Sequence, residues 1–141
     1  MAINFFSEDI DYNLPQKLKR KKWLKELAAL EDHQIKELNY IFCSDEYLYQ
    51  INVDYLQHDT YTDIITFDNS ENKAKIEGDI FVSVDRIIEN AERLDQPLEE
   101  ELSRVISHGL FHLMGYKDKE QEEIKTMRNK ELFAINLFKE I

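Results

Sequence analysis

The chain has few of the residues that cross-link a fold or interrupt its regular structure. Its 141 residues include three glycines, two prolines and one cysteine. The single cysteine, Cys43, excludes an intramolecular disulfide and is typical of a reducing compartment. Because glycine and proline are scarce and no tract is of low complexity, little of the chain suits a flexible linker. We therefore predict one domain over residues 1–141, with Cys43 buried in a strand and not acting as a nucleophile.

Long apolar runs are also missing. No segment approaches the roughly 20 apolar residues that cross a bilayer. The first ten residues lack the basic start and apolar block of a secretory signal. We therefore expect a cytoplasmic protein without a membrane partner.

Positively charged residues are also scarce relative to acidic ones. Eighteen lysines and arginines stand against 29 acidic residues, for a net charge of -11. This balance argues against a nucleic-acid partner, because phosphate neutralisation and counterion release supply much of the affinity for nucleic acids. Six basic residues are nevertheless concentrated within nine positions: Lys17, Lys19, Arg20, Lys21, Lys22 and Lys25. This cluster is either a local landing site for RNA or a solvated helix face, and both interpretations stay open.

The segment Ser107–Asp118 is typical of a metal site at the end of a helix. His108 and His112 are four residues apart, which places both imidazoles on one helix face. Gly115 can end the helix, and the turn after it can return Asp118 to the histidines as a third ligand. Three protein ligands with an open fourth position are characteristic of catalytic zinc. The alternative is an ordinary hydrogen-bonded histidine pair.

The order His-Gly-x-x-His-Leu-x-Gly-Tyr, which starts at His108, resembles the signature of the YbeY family. Thr62–Phe67 is similar to that family's Thr-Asp-Val-Leu-Ser-Phe strand, and Gly78–Ser83 to its Gly-Asp-Ile strand, in the same order. The resemblance covers about half of the chain, from residue 52 to residue 118. It implies a metal-dependent endoribonuclease that cleaves single-stranded ribosomal RNA precursors, in ribosomal RNA maturation and ribosome quality control. The implied partners are RNA and a ribosomal subunit or ribosomal protein, but not DNA.

Two positions depart from the family pattern. Asp118 stands where the family usually has a third histidine, so the resemblance implies a site of His108, His112 and Asp118 for one divalent ion. We expect Zn²⁺, with Mn²⁺ or another transition metal as a competitor because a carboxylate is a harder ligand than imidazole. Leu56 follows Tyr55 where the family commonly has an arginine, so a phosphate-binding cation is missing.

Three further residues are the main candidates for catalysis, and Asp79 is another candidate for the general base. Asp63 is either a general base or a strand-start residue that bonds backbone groups. His58, in a polar loop, is a surface residue or a substrate contact and base near neutral pH. Arg104, one helical turn before the first histidine, offers a cation to a scissile phosphate or pairs with Glu100 or Glu101, and the ion pair is the favoured interpretation.

Two other functions are compatible with a metal site. The first is a metallopeptidase-like hydrolase, although Gly109 stands where a His-Glu-x-x-His protease has its glutamate. The second is a non-catalytic ribosome-associated factor whose metal stabilises the fold. The residue spacing predicts only a metal site. The resemblance alone implies RNA as the substrate.

The periodicity predicts an α+β fold with about five helices and one mixed sheet of about four strands. The predicted strands cover 2–6, 35–43, 64–67 and 79–84, with the last two antiparallel. The predicted helices begin near Pro15, after a Ser44 cap, at an Asp85 cap, at Gln96 and Pro97, and near Glu120. The helix that begins at Pro97 carries both histidines and is expected to belong to the core.

Overall fold

A computed structural model of the chain describes residues 2–57 and 61–141. The described residues form four strands and five helices, which confirms the predicted α+β fold with one four-stranded mixed sheet. In chain order they are β1 (Ala2–Ser7), α1 (Lys17–Leu30), β2 (Gln34–Cys43), α2 (Asp45–Leu56), β3 (Ile64–Asp68), β4 (Lys75–Ser83), α3 (Val84–Arg93), α4 (Leu98–Leu113) and α5 (Gln121–Glu140).

The sheet has the strand order β1-β2-β4-β3. β1 is parallel to β2, and β2 is parallel to β4. β3 runs antiparallel to β4, as predicted, and forms one edge of the sheet. β4 begins at Lys75, four residues earlier than predicted, because Lys75 and Ile76 pair with Gln34 and Ile35 at the start of β2. Ile76 is buried in the main core, so the alternation of buried residues also extends to the start of this strand.

Side chains that alternate along the strands separate the core into two clusters. Leu38, Tyr40 and Phe42 point from β2 into the main core, which α1, α4 and α5 complete. Cys43 and Ile65 belong to a smaller cluster with residues of α2 on the other face. Cys43 is fully buried, as predicted. Burial raises the pKa of its thiol to about 12, so it stays protonated and unreactive at neutral pH.

Helix α4 occupies the centre of the main core. Ten of its 16 residues are buried, so it is held on several sides. The buried Tyr40 hydroxyl donates a hydrogen bond of 2.7 Å to the Ile106 carbonyl of α4. A Cβ atom at Gly109 would lie 2.9 Å from Cδ1 of Ile64 and 3.0 Å from Cδ1 of Ile80. The missing side chain at Gly109 thus lets α4 approach β3 and β4 closely, which positions its C-terminal end beside the edge strand.

The helix starts agree with the sequence except at α3. Ser44 caps α2, as predicted. The Asp85 cap is wrong: the Ser83 hydroxyl accepts a hydrogen bond of 3.2 Å from the Arg86 N–H. Ser83 immediately precedes the first helical residue, where a side-chain oxygen reaches the first turn. The Asp85 carboxylate instead accepts a hydrogen bond of 2.9 Å from the backbone N–H of Asp45.

Apolar residues recur at helical intervals in α1 and α5 and predict a buried stripe on each helix, but several of them are exposed. They are Leu18, Leu30, Ile124 and Leu132. Helix α1 is anchored by the buried residues Trp23, Leu24 and Leu27, and α5 by Met127 and Phe138. Each helix therefore buries a narrower face than its apolar pattern indicates. None of the described helices combines the length and the apolar character needed to span a membrane.

Candidate metal centre

The three predicted ligands converge on one point. The Oδ2 atom of Asp118 lies 3.3 Å from Nε2 of His108 and 3.5 Å from Nε2 of His112. One ligand atom from each of these residues lies within 4.8 Å of the others. Ligand atoms held about 2.0–2.2 Å from a tetrahedral ion are roughly 3.3–3.6 Å apart. The predicted convergence is confirmed, and its dimensions suit one small divalent ion.

The turn after α4 brings Asp118 to the histidines. Gly115 has a φ of 100°, which L-residues rarely adopt. Its N–H donates a 3.0 Å hydrogen bond to the His112 carbonyl, and the Tyr116 N–H donates one of 3.0 Å to the Phe111 carbonyl. These bonds close the helix end and reverse the chain within three residues of Asp118. Local backbone geometry therefore brings Asp118 to the two histidines, where it could serve as a third ligand.

Hydrogen bonds orient both imidazole rings. Nδ1 of His112 lies 2.9 Å from the Tyr116 carbonyl oxygen, which can only accept, so Nδ1 carries the hydrogen. Nδ1 of His108 lies 2.6 Å from Oε2 of Glu131 and donates to that carboxylate. In a neutral ring the lone pair is then on Nε2, which faces Asp118. Two lone pairs and a carboxylate oxygen meet at one point, and a bound cation would relieve their repulsion.

Burial favours the neutral form of His112. Loss of solvation lowers its pKa, and the neighbouring His108 lowers it further. The Asp118 carboxylate and the Tyr116 carbonyl oppose this decrease without cancelling it. Metal ions bind the neutral imidazole, so the lowered pKa leaves His112 ready to coordinate at neutral pH.

Arg104 connects several acidic side chains behind the histidines. Its Nη2 lies 2.7 Å from Oε2 of Glu101 and 3.4 Å from Oδ2 of Asp63. Its Nη1 lies 3.5 Å from Oε1 of Glu131. This oxygen is buried and accepts no hydrogen bond from the described residues, so the contact is an ion pair alone. Burial alone would lower the pKa of Arg104. The hydrogen bonds to Glu101 and the negative charges of Glu101, Glu131 and Asp63 have the larger opposite effect, so the pKa is raised above its usual value. The ion pair with Glu101 that the sequence favoured is thus present.

The charges around the centre favour a dication. Four carboxylates contact His108 or Arg104: Asp63, Glu101, Asp118 and Glu131. Arg104 is the shared cation of three of them, so this set of five side chains has a formal charge of -3. Glu101 and Glu131 are almost completely buried, where solvent screens their charge poorly. A divalent ion would neutralise most of this excess, so the residues present fit a metal ion.

A cleft of about 490 Å³ opens over the ligands. We call it the metal cleft; its walls come from α2, β3 and the end of α4 with the following turn, and include Asn52, Leu56, Thr62, Asp63, Ile64, Ile65, Thr66, His108, His112, Asp118 and Lys119. Asp63 therefore lies beside the proposed ligands, and its role in catalysis stays a prediction. Arg104 lies behind it as an ion-pair partner. His58 lies outside the described residues, so its predicted role stays a prediction.

Glu101 and Glu131 contact residues of the site, although the sequence pattern did not identify them as site residues. Glu131 is 23 residues from His108 along the chain, on a different helix. One signal was available: Glu131 is four residues from both Met127 and Ile135, which places a carboxylate on the buried face of α5. A charged residue at such a position is buried only with a partner, and here the partners are His108 and Arg104.

Comparisons with known proteins agree with this geometry. The sequence model of the family described as Endoribonuclease YbeY matches residues 3–139. A protein of Cytophaga hutchinsonii called Endoribonuclease YbeY is 56% identical over 138 residues, which cover 98% of this chain and 96% of that protein. One of the same name from Christiangramia forsetii is 45% identical, over 96% of this chain and 94% of its own length.

A solved structure is similar as well. The solution structure of a Thermotoga maritima protein superposes with a TM-score of 0.69 at 27% identity, over 96% of this chain and 88% of that one. The family match covers almost the whole chain, including the three converging ligands and the edge strand beside them. The chain therefore belongs to the Endoribonuclease YbeY family.

Proposed function

We propose that this protein is a metal-dependent endoribonuclease that cleaves single-stranded RNA during ribosomal RNA maturation and ribosome quality control, as one domain over residues 1–141. The convergence of His108, His112 and Asp118 in an open cleft is the observation that carries the proposal. The names of the relatives support RNA as the substrate. A ribosomal subunit or ribosomal protein is the proposed partner that presents the RNA, in the cytoplasm.

The three ligands are proposed to hold one Zn²⁺ ion, because two imidazoles and a carboxylate suit zinc in a site with an open position. When bound, such an ion supplies Lewis-acid chemistry, since it polarises a phosphoryl oxygen and acidifies water. Mn²⁺ is the competitor that the carboxylate ligand favours. Glu131 and the Tyr116 carbonyl hold the rings with Nε2 toward the ion, which preserves the coordinating tautomer.

Asp63 is proposed as the proton acceptor of the reaction. It borders the metal cleft beside the ligands, and its side chain remains 27% exposed, so a substrate can reach it. Arg104 is a positioning residue, because its guanidinium bonds Glu101 and approaches the Asp63 carboxylate at 3.4 Å. His58 is a second candidate for the base or for a substrate contact.

The packing of Gly109 counts against peptide hydrolysis by the His-Glu-x-x-His mechanism. That mechanism needs a glutamate directly after the first histidine. Even a methyl group at position 109 would meet Cδ1 of Ile64 at 2.9 Å, so this close packing has no space for a glutamate side chain. Phosphodiester cleavage does not need a base at this position, since Asp63 approaches the cleft from the edge strand instead.

The test compares metal content and RNA cleavage in wild type, His112→Ala and Asp118→Asn. We expect about one zinc per wild-type chain by elemental mass spectrometry, and cleavage of a labelled single-stranded oligoribonucleotide. Both variants should lose the metal and at least 100-fold in cleavage rate, because each removes a ligand. His33→Ala is the matched control, since His33 lies outside the metal cleft and contacts the Glu31 carbonyl.

Two results would contradict the proposal. Full metal content and full activity in Asp118→Asn would remove Asp118 from the ligand set. Metal binding without any RNA cleavage, together with a large fall in the unfolding temperature of His112→Ala, would favour the non-catalytic factor with a structural metal. Cleavage of a casein peptide mixture in place of RNA would favour the metallopeptidase.

A further inference from the structure

A second cleft lies on the other side of the ligands. Its volume is about 350 Å³, and it shares Asp63, His108 and Asp118 with the metal cleft. Its other walls come from α3, α4 and α5 and include Asn90, Arg93, Arg104 and Arg128. The two clefts therefore meet at the metal centre, and a linear polymer that crosses the centre can occupy both.

Arginine is concentrated in this second cleft, which we call the arginine cleft. Three of the five arginines of an acidic chain line it. Arg104 is engaged with buried carboxylates. Arg93 is exposed and donates to the neutral Asn90 side chain at 3.1 Å. Arg128 is 63% exposed, and its Nη1 lies 3.6 Å from Oε1 of Glu131, which is longer than a hydrogen bond.

The two exposed guanidinium groups retain donors for a ligand. Each guanidinium has five N–H donors, and the described contacts use few of those on Arg93 and Arg128. Such groups bind phosphate oxygens with two parallel hydrogen bonds. The metal cleft has one basic residue among its described walls, Lys119, whereas the arginine cleft has three. Leu56 in the metal cleft is neutral.

We propose that Arg93 and Arg128 bind backbone phosphates of the RNA next to the phosphate that is cleaved. The RNA chain then enters through the metal cleft, passes His108 and Asp118, and continues into the arginine cleft. Arg128 is one helical turn before Glu131, whose carboxylate bonds His108, so the phosphate site lies directly beside the metal centre. This inference rests on the proposed function, because it assigns how the same RNA is held.

The test measures the binding of a fluorescein-labelled 12-nucleotide oligouridylate by anisotropy between 0.05 and 0.3 M NaCl. All proteins carry His112→Ala, so that the RNA stays intact. The test variant adds Arg93→Gln and Arg128→Gln. The control adds Lys36→Gln and Lys73→Gln, which remove the same charge from two exposed lysines that line neither the metal cleft nor the arginine cleft.

Removal of two phosphate contacts should lower the slope of log affinity against log salt by about 1.4 and weaken binding about 25-fold at 0.1 M salt. The lysine control should change affinity less than threefold. Equal affinities of the arginine and lysine variants would overturn the proposal that Arg93 and Arg128 bind phosphates, without affecting the proposed nuclease function. If the His112→Ala protein binds no RNA, this proposal is also overturned, and cleavage by the native protein then tests the nuclease function separately.

Discussion

At the scale of single residues, the candidate metal centre depends on side chains outside the proposed ligand set. Glu131 is buried on α5, where it orients His108 and forms an ion pair with Arg104. A carboxylate that bonds the second ring nitrogen fixes the tautomer and raises the basicity of a histidine ligand. The quality of the metal site therefore depends on a residue 23 positions from the ligand that it supports.

We predict that Glu131→Gln weakens zinc binding 10- to 100-fold, because an amide holds the His108 hydrogen bond without a negative charge. Competition with a chromophoric zinc chelator measures this affinity. The control is Glu100→Gln, which removes an equal charge from a surface pair with Lys139 at 3.3 Å. An unchanged zinc affinity in Glu131→Gln would show that Glu131 supports the fold and not the metal.

At the scale of elements, helix α4 and the edge strand β3 form the site together. The end of α4 carries two ligands, and β3 borders the metal cleft where Asp63 precedes it. The relative position of helix and strand depends on close contact at Gly109, with Ile64 on β3 and Ile80 on β4. Small changes at this contact should therefore affect both stability and the site.

Gly109→Ala is expected to destabilise the fold by about 1–3 kcal/mol, since overpacking outweighs the better helix propensity of alanine. Urea unfolding measures the loss. Ile64→Val removes Cδ1, the atom that the new methyl group would meet at 2.9 Å, and should recover part of the loss in the double variant. Strictly additive effects of the two substitutions would contradict a direct contact.

At the scale of the whole molecule, the metal should stabilise the folded chain. The three proposed ligands lie on α4 and its turn, and Glu131 of α5 orients His108, so a bound ion favours the folded state. Zinc at 100 times its dissociation constant then adds about 2.7 kcal/mol. For a domain of this size we predict an increase of roughly 10 °C in Tm over the metal-free protein.

Differential scanning calorimetry of the chelator-treated protein, with and without zinc, measures this shift. The shift should disappear in His112→Ala and persist in His33→Ala, whose substituted side chain lies outside the cleft. A metal-free protein that fails to unfold cooperatively would instead assign the ion a mainly structural role. An equal shift in His112→Ala would place the bound zinc elsewhere on the molecule.

The sequence alone predicted the features that depend on neighbours along the chain. The helical spacing of His108 and His112 follows from 3.6 residues per turn, and Gly115 indicated the turn that returns Asp118. The fold class, the antiparallel β3–β4 pair and the buried Cys43 followed from periodicity, and the structure confirmed them. Asp85 was the wrong cap because neighbouring serine and aspartate residues both suit that role.

The tertiary structure decided the contacts between distant segments. Glu131 meets His108 and Arg104 meets Asp63 only because α4 packs against α5 and β3, across separations of 23 and 41 residues. The arginine cleft likewise joins three helices. Local periodicity records which face of an element is buried, but not which element covers it. The sequence by itself thus determined which three residues form the proposed ligand set, whereas packing determined the carboxylates and cations that surround it.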